Sequence, residues 1–97
     1  MALTREAQER FVSVDLQETE ENRAVIAAIE ADNEDCVAVH FPGVVKLQSP
    51  TRLVINRESV EERLGRSWEP HEFQMAIVSL AGNIDFDDDE IVIAWAH

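Results

Sequence analysis

At 97 residues and 45% hydrophobic content, the chain has length enough for one compact core and nothing over for a second. Its 20 acidic residues against 8 basic ones give a net charge of -12, which repels nucleic-acid phosphate and anionic lipid and suits a basic or amphipathic protein surface instead. Cys36 is the single cysteine, which excludes an internal disulfide and a thiolate-only zinc site, and no stretch reaches the ~20 apolar residues of a membrane span.

Residues 1–10 are polar or charged every few positions, without period or signal-peptide run, and read as a flexible N-terminal arm ahead of a single domain over 11–97. With the lone cysteine, this fits a cytoplasmic protein. Val12, Val14 and Leu16 alternate with Phe11, Ser13 and Asp15, the period of a half-buried strand. Residues 19–33 predict a helix: Val25, Ile26 and Ile29 share one face, Glu20 and Glu21 favour the N-terminal end of the dipole, and Asn33 suits the C-terminal cap.

Residues 36–41, 44–48 and 52–56 predict three strands, joined at Pro42 and Gly43 and again at Ser49, Pro50 and Thr51, and forming an antiparallel meander. Asn56 caps a short helix over 57–64 that Gly65 stops. Pro70 opens a further helix in which Phe73, Ala76, Ile77 and Leu80 mark an apolar face, with Gly82 ending it. Ile84 and Phe86, then Ile91, Ile93 and Trp95, flank the acidic run 87–90 as a closing hairpin. The order βαβββααββ mixes strand runs with helices, so the expected class is α+β, mostly antiparallel with about three helices.

Tests for chemistry come back empty. The run Asp85, Phe86, Asp87, Asp88, Asp89 and Glu90 offers oxygen ligands for a hard cation, but a calcium loop begun at Asp85 puts Glu90 where glycine belongs and Ala96 where the bidentate glutamate belongs. A solvated hairpin turn that guards a sheet edge explains it better. His40, His71 and His97 lack metal-ligand spacing. Cys36 and His40, four positions apart on a strand, would stand ~13 Å apart, too far for a nucleophile–base pair, so Cys36 reads as a small apolar residue. The three glycines mark turns and helix ends, not a phosphate loop. Trp68 and Trp95 read as core or as contact anchors. The expectation is a protein with no catalytic residue, metal or organic cofactor, acting by binding another protein.

The succession Leu64, Gly65, Arg66, then Phe73, then Ser79 and Gly82 resembles the regulatory, or coupling, proteins of bacterial multicomponent di-iron monooxygenases, above all those of phenol hydroxylase. Val45 and Lys46, residues 52–55, residues 57–62, residues 29–33 and the acidic hairpin continue the similarity, which covers nearly everything after residue 12. The methane monooxygenase branch carries a much longer N-terminal arm, so the likeness is to the phenol and toluene enzymes. The resemblance implies a small, cofactor-free α+β protein that binds the large subunit of a di-iron hydroxylase, shifts the helices carrying its iron ligands, and couples an NADH-dependent reductase to aromatic hydroxylation. It further implies hydroxylase contacts at Val78, Ser79, Leu80, Gly82 and Asn83, with Ser79 and Asn83 leading, where a helix end of small residues would let backbones approach closely. Asn33 is a weaker contact because capping accounts for it, and Lys46 and Arg52 are rim contacts or solvated strand ends. Two other functions fit the composition: an acidic nucleic-acid-mimic inhibitor, and a small oligomeric ligand-binding domain with a carboxylate in an apolar pocket.

Overall fold

The alternation after Phe11 decides what occupies the middle of the molecule. In the computed structural model, which describes residues 11–95, β1 (Val12–Gln17) points Val12, Val14 and Leu16 into the core with none of their surface exposed, and Ser13 and Asp15 the other way. Apolar contact on one face and backbone pairing on both edges make it one of the two inner strands of a four-stranded antiparallel sheet. The order is β2 (Val37–Phe41), β3 (Val44–Ser49), β1, then β5 (Ile77–Ala81). A second, three-stranded sheet places β7 (Glu90–Ala94) between β4 (Arg52–Asn56) and β6 (Asn83–Phe86).

Three helices complete the α+β fold: α1 (Glu20–Asp32), α2 (Arg57–Leu64) and α3 (Glu72–Ala76). The Thr19 hydroxyl starts α1 by accepting from the Asn22 backbone N–H at 3.1 Å, and the Asn56 side chain does the same for α2 through the Ser59 N–H at 3.2 Å. Gly65, at φ 76°, takes the left-handed conformation that ends α2, its N–H reaching the Glu61 carbonyl at 2.8 Å; a side chain would be strained there. Val25, Ile26, Ala28 and Ile29 of α1 and Val60 of α2 are buried with Leu53, Ile55, Ile91 and Ile93 of the second sheet. Each large apolar side chain so placed contributes about 1.5–3 kcal/mol from burial. None of the helices is long and apolar enough to cross a membrane among the described residues.

Two expectations need correction. Residues 77–81, read as the second half of a helix, form β5, so the described strands number seven and α3 is a single turn and a little more. The middle strands are not a meander either: β2 and β3 pair, but β4 joins β7 in the other sheet. With β2 on one edge and β1 on the other, β3 has no edge left for β4, and the corner at Ser49, Pro50 and Thr51 turns the chain away. The expected arm over 1–10 and the candidate ligand His97 lie outside the described residues.

The segment that carried the resemblance is built by two arginines. Arg66 binds Glu21 of α1 at 2.6 Å and approaches Glu72 of α3 at 3.6 Å. Arg57 pairs with Glu61 at 3.2 Å and Glu69 at 3.6 Å, and donates to the Asp88 carbonyl. Trp68, 2% exposed, packs edge-on against Phe73 with ring centroids 6.5 Å apart, so it is a core residue. Its backbone N–H donates to the Glu61 carboxylate at 2.8 Å. That bond, followed by the one from Arg57, lowers the Glu61 pKa below its ordinary value. Because the folded value is the depressed one, the stabilisation is complete above the ordinary carboxylate pKa and disappears as pH falls through the lowered one. Thermal melts of Glu61→Gln and wild type at stepped pH are therefore expected to differ most at neutral pH and to converge in acid.

Candidate docking surface

Strand β5 is an edge strand, and this changes what the candidate contact residues are. Val78, Ser79 and Leu80 do not sit at a helix end; they lie on a strand paired with β1 on one side and with nothing on the other among the described residues. Its free edge offers backbone donors and acceptors to an incoming chain, a different and more specific route to close backbone approach. The pairing slips between Asp15 and Leu16, where Val78 is the extra residue of a bulge. Val78 is 53% exposed and Leu80 36% exposed, and a bulge bends the strand that carries it.

Gly82 and Asn83 continue the same surface. Gly82 joins β5 to β6 at φ 136°, and a Cβ there would lie 3.0 Å from Ile93 Cγ2 and 3.1 Å from Val12 Cγ1. It is a close-packed hinge between the two sheets, not a helix cap. Asn83 is exposed at the start of β6, opposite Ala94.

Asn33 stands apart from this group. Its side-chain amide donates to the Ile29 carbonyl at 2.7 Å and the Val54 carbonyl at 2.9 Å, while its Oδ1 accepts from the Val54 N–H at 2.9 Å. Both amide hydrogens are thus used inside the molecule, at β4, the edge of the second sheet opposite to β6. The backbone of Asn33 is extended, φ -128°, so the side chain and not a left-handed turn caps α1. Asn33→Ala leaves those backbone groups without partners and is expected to destabilise the protein by about 2 kcal/mol, read as a lower midpoint in urea.

The other candidates sort by burial. Lys46 is not at a strand end: it is half-buried in mid-β3, opposite both Asp15 and Val39. Arg52 is exposed at the first position of β4. Trp95 is 39% exposed and donates from Nε1 to the Phe11 carbonyl at 2.8 Å. Sequence reasoning passed over Met75, 86% exposed on α3, and Val37 and Phe41, 53% and 49% exposed on β2. The strand alternation of β2 was the available signal for the last two.

The chemistry of the remaining groups is quiet. Partial burial and then Glu30 push the Cys36 thiol up, against the opposing pull of a Gln48 backbone hydrogen bond. Asp87 Oδ1 accepts from the Asp89 and Glu90 N–H groups at 2.7 and 3.0 Å, so the acidic run is a self-bonded turn. An open hollow of about 450 Å³ between α2 and β4 is walled by Asp32, Glu58, Glu62 and Arg63, unlike the apolar clefts that hold small ligands.

The MmoB/DmpM family profile matches residues 10–94. The chain is 38% identical over 87 residues to the phenol 2-monooxygenase stimulatory component DmpM of Pseudomonas sp. (strain CF600), covering 90% of this chain and 97% of that one. A chain in the structure of the phenol hydroxylase–regulatory protein complex superposes with a TM-score of 0.84 at 38% identity, over 90% of this chain and 100% of that one. The soluble methane monooxygenase regulatory protein B superposes with a TM-score of 0.73 at 15% identity, over 89% and 65% of the two chains, and shares the fold alone.

Proposed function

Because the chain belongs to the MmoB/DmpM family, we propose that it is the non-catalytic stimulatory component of a phenol hydroxylase-type monooxygenase and works by binding the hydroxylase component. The observation that carries this reading is the 38% identity to a phenol 2-monooxygenase stimulatory component across nearly the whole of both chains. The di-iron large subunit is the partner surface, and the free edge and bulge of β5, with Val78, Ser79 and Leu80, are the contact, extended through Gly82 to Asn83. Electrons reach the hydroxylase from an NADH-dependent reductase, so this chain needs no cofactor of its own.

Its effect is a population shift. A regulator that holds one shape of the hydroxylase more tightly than another moves the balance by that difference in affinity and by nothing else. Tight binding to both shapes would change nothing.

Adding the protein to hydroxylase and reductase with phenol and NADH is expected to raise hydroxylated product per NADH oxidised, with saturation as hydroxylase is filled. Ser79→Trp, which enlarges an exposed residue on the free edge, is expected to abolish most of that stimulation while leaving the melting temperature within about 2 °C of wild type, since exposed substitutions cost little stability. No change in yield or coupling at any ratio of wild-type protein would overturn the proposal.

A further inference from the structure

The outer face of the four-stranded sheet carries an unmet acceptor. Register lines up Val39, Lys46, Asp15 and Ser79 in one row across β2, β3, β1 and β5. Asp15 Oδ1 is buried and has no hydrogen-bond partner among the described residues. Lys46 stands directly opposite on β3, yet the ion pairs among the described residues are those of Arg57 and Arg66. A carboxylate oxygen withdrawn from water without a donor is a cost to the free protein. Its neighbours across the face keep surface of their own: Ser79 is exposed, Lys46 and Val39 are half-buried, and Val37 and Phe41 flank the row on β2 at 53% and 49% exposure.

We propose that this face is part of the hydroxylase docking surface and that Asp15 there accepts an arginine or lysine side chain of the hydroxylase. The inference rests on the functional reading above and adds the face and the chemistry of the contact. Three observations choose the occupant. The row ends at Ser79, so the face is continuous with the β5 edge. The chain carries a net charge of -12, so a cationic patch is the complementary partner. The Asp15 residue is only half-buried, so a turn of its side chain brings the carboxylate to a charged N–H group that supplies the donor Oδ1 lacks. Exposed Val37 and Phe41 give that covering surface apolar contact at the β2 side.

A residue kept for a partner has a signature that a structural residue lacks. Asp15→Asn and Asp15→Thr are expected to melt at or above the wild-type temperature, because each removes the unpaired charge and threonine favours a strand. Titrated against the isolated hydroxylase component, both are expected to bind about thirtyfold more weakly or worse, with a shallower dependence on salt. Binding of both variants within about twofold of wild type would overturn the inference while leaving the stimulatory function standing. A fall in melting temperature that accompanies weaker binding would also overturn it, because Asp15 would then be structural. Failure of the wild-type protein itself to bind would instead remove the functional reading, and this inference with it.

Discussion

Phe73→Ala is expected to destabilise the protein by about 3–5 kcal/mol, the range for removing a buried phenylalanine. Phe73 is 1% exposed and meets Trp68 edge-on, so the cavity would open beside the largest side chain of the core. The loss is not confined to volume. Helix α3 spans only five residues, too short to persist without tertiary contacts, and Phe73 is its one buried side chain. Releasing it frees the lead into β5. Urea denaturation is expected to show a lower midpoint with an unchanged slope, and Phe73→Leu, which keeps more of the volume, is expected to lose less than half as much. A midpoint within experimental error of wild type for the alanine variant would mean that α3 is held by other contacts.

Gly82→Ala is expected to cost about 3 kcal/mol, although it adds one methyl group. Its φ of 136° lies where L-residues are strained by about 1–3 kcal/mol, and its Cβ would press on Ile93 and Val12, one from each sheet. Neither neighbour is a flexible surface chain, and both are buried. Gly65 is the internal comparison. It also has positive φ, but a Cβ there meets nothing within 4 Å, so Gly65→Ala is expected to cost only about 1–2 kcal/mol. Melting the two variants side by side separates backbone strain from crowding: equal losses would show that the contacts at Gly82 yield freely.

The contrast between those elements also explains what could be read from the sequence. Helix α2 was legible to the residue, because Asn56 and Gly65 are local signals whose chemistry acts within one turn. The closing hairpin was legible too, since Ile84 and Phe86 oppose Ile93 and Ile91 in the strand period. Strand β5 was not, and the bulge is the reason. Phe73 and Ala76 belong to a true helical turn, and the extra residue at Val78 spaces Ile77 and Leu80 three apart, so a strand carried a helix-like period. The β-branched pair Ile77 and Val78 was the counter-signal. The partition into two sheets was also hidden, because whether β4 pairs with β3 or β7 depends on which edges distant strands already occupy. At the proposed docking surface, sequence similarity pointed to Ser79 and its neighbours, but their placement on an edge strand needed the fold. Asp15 gave no signal, since an aspartate on the polar side of an alternating strand looks satisfied until its register partners are known.

Each sheet is completed by a strand late among the described residues. β1, the first strand among the described residues, waits for β5, and β4 waits for β7. A nascent chain leaving the ribosome can pair β1, β2 and β3 early, but until β5 and β7 have emerged one edge of β1 stays open and β4 lacks its strand partner. Pairings so distant in sequence are slow to form and prone to misassociation while incomplete. Loss of Glu90–Ala94 would therefore remove the strand that joins β4 to β6 and uncover the core at Ile91 and Ile93.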